Sequence, residues 1–182
     1  TAYVHRASLK FDLRDFQGAL SDNNSAISIN PNSLEARNNR AMVRNILKDH
    51  FGALEDYDVA VTIANEPFKA ITYRNRGLTK QYLKVYKGAI DDFSRAISLE
   101  AQDPRTYIYR GIVLSSMELY KDAISDFNKA LEIDSSLADA YYNRGMAYAE
   151  LNEKQYCFLD LYKARELGHR EARAVIKGHY KQ

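Results

Sequence analysis

Five arginines recur along this chain of 182 residues, at 6, 40, 76, 110 and 144, in steps of 34, 36, 34 and 34. A small residue follows each of them: Ala7, Ala41, Gly77, Gly111 and Gly145. Sixteen residues after each arginine stands an aspartate: Asp22, Asp56, Asp92, Asp126 and Asp160. A period of this length marks a repeat architecture and restricts the fold more than any other feature of the sequence. One copy is too small to bury its own apolar face, so neighbouring copies must stack to form a core.

The interior of the period reads as two helices. Small residues recur at Ala19, Ala53, Ala89, Ala123 and Cys157, and again at Ala26, Ala60, Ala96, Ala130 and Ala164. Between them lies a site held by Asn23, Tyr57, Phe93, Phe127 and Leu161. Apolar residues around these positions repeat at three-to-four spacing, the pattern of a buried helical stripe. Gly18, Gly52 and Gly88 fall near the turn between the two helices. Asp103-Pro104 reads as a helix start, the aspartate capping and the proline in the first turn. The two-residue excess of the second copy falls near 64–69, around Pro67, which predicts a longer turn between repeats. The stretch 168–182, containing EARAVIK, reads as a short helix covering the last repeat.

These positions resemble the tetratricopeptide repeat, a helix-turn-helix of about 34 residues. Numbered within that repeat, Tyr3, Tyr73, Tyr107 and Tyr141 hold the aromatic position 4, with Arg37 the exception. The small positions 8, 20 and 27 and the aromatic position 24 match as given above. Proline 32 survives only as Pro31, a small departure because other residues also end helices. The resemblance implies an all-α fold, a right-handed solenoid of five repeats. Their expected bounds are 1–33, 34–69, 70–103, 104–137 and 138–171, with a capping tail over 172–182. The first repeat opens without its first residues, which predicts that further chain precedes Thr1.

Position 7 is usually leucine in that family, but here it is arginine in all five copies. On a helical wheel it points into the helix layers, where an unpaired charge is expensive. In an antiparallel hairpin, positions 7 and 23 come to nearly the same height. The expected arrangement is one structural ion pair per repeat: Arg6 with Asp22, Arg40 with Asp56, Arg76 with Asp92, Arg110 with Asp126 and Arg144 with Asp160. A guanidinium suits a bidentate contact of this kind. Whether the partner lies in the same repeat or its neighbour stays open at this level. A polyanion track of five arginines is the weaker alternative, because each arginine already has a reserved acid.

No catalytic constellation emerges. His5, His50, His169 and His179 are far apart and lack metal-ligand spacing. Cys157 holds a small core position and reads as an inert buried thiol. Neither a glycine-rich phosphate loop nor an apolar run of about 18 residues is present. A net charge of +2 argues against a dedicated nucleic-acid surface. Hence no cofactor, metal, nucleic acid or membrane contact is expected, and the expected function is non-enzymatic protein binding.

The family resemblance implies that positions 2, 5, 6, 9, 12 and 13 of each first helix line a concave groove. On them fall the candidates Asn39, Asn75 and Asn143, all at position 6, with Arg74, Tyr82, Arg105, Tyr109 and Tyr142. Each amide offers a donor and an acceptor to an extended peptide backbone. Tyrosines add rigid contact area, and Arg74 and Arg105 would favour an acidic side chain. The chaperone-tail carboxylate clamp of this family is not matched. In its best register, repeats two to four supply Asn38, Met42, Asn75, Arg105 and Tyr109, of which only Asn75 and Arg105 fit. Two other roles stay open: a self-assembling structural module, and a regulatory array attached to an enzyme.

Overall fold

The computed structural model describes residues 2–179, with side chains excepted at Pro67 and 177–179. Thr1 of the first repeat and 180–182 of the expected cap lie outside the described residues. All the regular structure among the described residues is helical. The chain divides into two compact units, Thr1–Leu99 and Glu100–Gln182. The first contains α1 (Ala2–Asp12), α2 (Phe16–Ile29), α3 (Leu34–Ile46), α4 (His50–Ile63), α5 (Glu66–Tyr82) and α6 (Tyr86–Leu99). The second contains α7 (Pro104–Ser116), α8 (Tyr120–Ile133), α9 (Ala138–Glu150), α10 (Lys154–Glu166) and α11 (Arg170–His179). Within the first unit the hairpins α1–α2, α3–α4 and α5–α6 stack in order; within the second, α7–α8 stacks on α9–α10, and α11 closes against α10.

Every hairpin turns in the same way. The first helix ends in a residue at positive φ, between 59° and 67°: Arg14, Lys48, Lys84, Glu118 or Asn152. The next amide reaches back to a carbonyl of the last turn, as Asp15 N–H does to Lys10 and Asp49 N–H to Arg44, each at 2.8 Å. That is a Schellman closure, which satisfies carbonyls a helix end otherwise leaves open. Asp15 and Asp49 then cap the second helix, accepting from the Gly18 and Gly52 amides at 2.9 Å. Asp103 caps α7 with Pro104 in its first turn.

The second repeat's excess is placed differently from expectation. The link from α4 to α5 is shortened, not lengthened, to Ala64 and Asn65. The additional residues instead extend α5 to 17 residues, against 13 in α3, α7 and α9. Pro67 lies in the first turn of that extension. A first-turn residue has no intrahelical N–H bond to lose, so proline starts this helix without breaking it.

Between the helices of each hairpin the alanine at position 27 is covered, as is the alanine at position 20 of the first four; Cys157 takes that place in the fifth. In the third and fourth hairpins the phenylalanine at position 24 fills the space beside position 8. A Cβ added to Gly77 would lie 2.8 Å from the Phe93 ring, and one on Gly111 would lie 2.7 Å from Phe127. Glycine is thus what lets these rings approach the first helix. At the C-terminal end, Ala172 and Ile176 of α11 pack with Cys157, Leu161 and Ala164 of α10. This supplies the cover that a terminal repeat needs.

The repeated arginines and aspartates meet inside each hairpin. In all five, Nε and Nη2 of the arginine donate to the two carboxylate oxygens at 2.5–2.8 Å. The aspartates are buried. Arg40, Arg76 and Arg144 also use Nη1 to bond Asn24, Asp58 and Asn128 of the preceding hairpin at 2.6–2.9 Å. One guanidinium therefore closes its own hairpin and ties it to its neighbour. The ring of Tyr3, Tyr73, Tyr107 or Tyr141 lies 5.4–5.9 Å from the guanidinium one turn away, within cation–π range. Where position 4 is Arg37, that side chain approaches Asp56 at 3.5 Å instead.

A second cation, not anticipated from the sequence, serves the first unit. Lys10, Arg44 and Lys80 lie one turn beyond the arginines and reach Asp22, Asp56 and Asp92 at 2.8–2.9 Å. In the second unit that position holds Leu114 and Tyr148. The Arg6 guanidinium first, with Lys10, holds the Asp22 carboxyl well below its ordinary value of 3.8.

Two outcomes follow from this architecture. Residues at positive φ pay a steric cost that glycine avoids, so Lys48→Gly and Glu118→Gly should each raise stability by about 1 kcal/mol in urea melts. A loss of stability in both would mean that the turn is held by side-chain contacts. The second outcome concerns acid. Because the folded pKa of Asp22 is depressed, its pairing stabilises the fold above the unfolded value of about 3.9 and is lost as pH falls below it. The stability gap between the parent and an Arg6→Gln/Lys10→Gln variant should therefore be present at pH 7 and close on acidification below about pH 4. A gap independent of pH would contradict the pairing.

Candidate interaction surface

In both units the exposed positions of the first helices build a concavity at the step from one hairpin to the next. In the first unit it has a volume of about 250 Å³ and is lined by Ser8, Phe11 and Asp12 of α1, Asn39 and Met42 of α3, and Asn23 of α2. In the second it measures about 320 Å³, with Ile112, Ser115 and Ser116 of α7 and Asn143, Met146 and Glu150 of α9. The two are in register. Positions 9, 12 and 13 of one repeat face positions 6 and 9 of the next, so Asn39 and Met42 correspond to Asn143 and Met146.

The amides are not equally available. Asn39 Nδ2 donates weakly to Ser8 Oγ at 3.4 Å. Asn143 Nδ2 turns onto its own helix and donates to the Asp139 carbonyl at 2.7 Å. Each bond uses one of the two N–H groups of its amide, so both residues still offer a donor as well as an acceptor. Asn75 is half-buried. Between α3 and α5 the surface is stitched by two bonds that sequence reasoning missed. Asn38 Nδ2 donates to Thr72 Oγ1 at 3.4 Å, and Asn45 Nδ2 to Thr79 Oγ1 at 2.8 Å. Both partners lie 34 residues on, a visible but unspecific signal.

The aromatic candidates are placed by stacking. Tyr82, exposed on its outer side, stacks on His50 at 5.0 Å between ring centroids, and Asn45 Oδ1 lies 2.9 Å from His50 Nδ1. Tyr142 stacks on His169 at 4.1 Å, so the residue before α11 braces the second unit's surface. His169 Nδ1 accepts the Ala172 amide at 3.2 Å, and its Nε2 lies 3.5 Å from Asp139. Tyr109 and Arg105 line one hollow with Ile108 and Leu137.

The two candidate cations are not free. Arg105 Nε is bonded to the cap Asp103 at 2.9 Å. Arg74 is only 8% exposed. Arg74 thus lacks open positive charge, whereas the Arg105 side chain stays 62% exposed despite its bond to the cap.

Cys157 is buried, and desolvation, with the charge of Asp160, pushes its thiol pKa up, away from the reactive thiolate. Among the described residues, no group of three His, Cys, Asp or Glu side chains is arranged to hold a metal ion, and no helix is long and apolar enough to cross a membrane.

Comparison with known proteins agrees with this geometry. The family model described as TPR repeat matches residues 116–152, from the end of α7 through α9. Curated protein sequences give no match. Among solved structures, a crystal structure of MamA superposes with a TM-score of 0.81 at 23% identity, covering 92% of this chain and 96% of that one. MamA from Desulfovibrio magneticus RS-1 gives 0.83 at 17%, covering 91% and 93%. YrrB, described as a TPR protein with an unusual peptide-binding site, gives 0.78 at 22%, covering 96% and 90%. At these identities the likeness establishes the fold. The chain is an all-α array of hairpins of the tetratricopeptide type.

Proposed function

We propose that this chain is a non-catalytic interaction module, which binds an extended segment of a partner protein on the first-helix face of its hairpins. The observation that carries this reading is the recurrence of a concavity at equivalent repeat positions in both units. Core positions repeat because packing demands it, whereas here a methionine recurs beside an asparagine acceptor at the mouth of one concavity in each unit, Asn39 with Met42 and Asn143 with Met146. The carbonyl oxygens of Asn39 and Asn143 suit peptide N–H groups, and the half-buried Asn75 would add a further polar contact. Tyr82, Tyr109 and Tyr142 supply contact area at low entropic cost. Arg74 enters as a buried packing group, whereas the exposed Arg105 keeps a positive charge at the surface that favours an acidic residue of the segment. The peptide-binding site of the similarly folded YrrB shows that such an array can take a peptide.

A second reading, self-association, draws on α1. Its outer residues Leu9 and Leu13 are 64% and 80% exposed, whereas Val43 and Thr79, the counterparts of Leu9 in α3 and α5, are buried.

The test uses peptides selected from a random library against the whole chain and measured by fluorescence anisotropy. Met42→Arg, at an exposed site, and Met146→Arg, measured only once its circular dichroism matches the parent because Met146 also packs against the C-terminal core, should each weaken binding at least tenfold; Glu132→Ala should leave it unchanged. Full affinity in both methionine variants would overturn the reading. Sedimentation velocity showing concentration-dependent oligomers would then favour self-association.

A further inference from the structure

Position 24 is the place where the first hairpin differs from the others. Phe93 and Phe127 fill the space over Gly77 and Gly111, and Tyr57 packs with Ala41 and Ala53. In the first hairpin the residue is Asn23, whose amide is far smaller than a ring. The unfilled space is the cavity of about 250 Å³, walled by Ala7, Phe11, Met42 and Val43. Asn23 is 1% exposed, and its Nδ2 donates to the Ala19 carbonyl at 3.0 Å. That carbonyl can only accept, so the nitrogen must face it. The other end of the amide, Oδ1, is buried and has no hydrogen-bond partner. Orphaned buried acceptors are rare in folded proteins and ask for an explanation.

We infer that this cavity receives a tyrosine side chain from the partner segment, the ring replacing the aromatic the first hairpin lacks and the phenol O–H donating to Asn23 Oδ1. The inference rests on the reading of this face as a peptide-binding surface. The walls fit a ring: Phe11 offers an aromatic contact and Met42 a thioether. The single unsatisfied acceptor selects among anchors. Phenylalanine would fill the space but leave Oδ1 orphaned. A lysine or arginine would bring a full charge to a buried floor whose orphaned acceptor is neutral, which is costly. Tyrosine brings one neutral donor at the far end of a ring. Asp12, on the exposed rim and without an ion-pair partner among the described residues, favours a basic residue beside that tyrosine.

The test titrates the whole chain, labelled with nitrogen-15, with p-cresol, toluene and n-butylammonium as analogues of the tyrosine, phenylalanine and lysine side chains. The expected result is saturable amide shifts centred on Ala7, Asn23 and Met42 with p-cresol, and at least tenfold weaker binding of the other two. Asn23→Phe should fill the cavity, raise the melting temperature and abolish those shifts. Asn23→Leu keeps much of the space but removes the acceptor, so toluene should then bind as well as p-cresol. Equal binding of p-cresol and toluene to the parent chain, or p-cresol shifts that survive Asn23→Phe, would overturn the inference. If p-cresol fails here while selected peptides still bind in a Met42-dependent way, the anchor is wrong and the wider reading stands.

Discussion

The bidentate pair between position 7 and position 23 is the interaction on which the rest of this structure depends. A guanidinium and a carboxylate meet in one plane only when the two helices of a hairpin have one relative height and rotation. Each pair therefore sets the register of its hairpin. In three hairpins the spare nitrogen of the same arginine bonds the helix before it, which extends the register to the stacking step. The hydrophobic contribution is large but tolerant. Alanines at positions 20 and 27 permit close approach without dictating one rotation, and the ion pair supplies that selection. Its cost is desolvation, met by the second oxygen, by the tyrosine ring and, in the first unit, by a second cation.

Much of this was legible in the sequence, for a physical reason. Core positions in a repeat are constrained alike in every copy, so Arg-Ala or Arg-Gly, the distant aspartate and the spaced alanines stand out by period alone. The cap at Asp103 and the covering role of α11 come from equally local chemistry. What escaped lies where periodicity is broken or side chains choose between partners. The surplus of the second repeat went into a longer α5 because two residues suffice to link α4 to α5, so the rest propagate the helix (Asn65 and Pro67 form a start). The surface amides Asn38 and Asn45 find threonines on the next hairpin, and Arg105 finds its own cap. No spacing rule separates such bonds from open ligand groups.

The same contrast separates scaffold from candidate site. Where all five copies agree, arginine and aspartate are paired and the aspartate is buried; where a copy departs, the surface changes character. Asn23 is the clearest case, since one polar residue in an apolar row turns a packed position into a cavity with an orphaned acceptor. His169 is another, the residue just before α11, whose ring stacks on Tyr142. Stability and recognition thus occupy different repeat positions, which lets the surface vary without loss of fold.

The central claim is that the arginine and its buried aspartate are one coupled element of each hairpin and not two independent polar side chains. A double-mutant cycle on Arg110 and Asp126, measured by urea unfolding of the whole chain, tests it most directly. Arg110→Met and Asp126→Leu should each cost about 3–5 kcal/mol, because each leaves the other charge buried without its partner. The double variant should lose far less than the sum, with a coupling on the order of 2–3 kcal/mol. Strictly additive losses, or single variants as stable as the parent, would contradict the account.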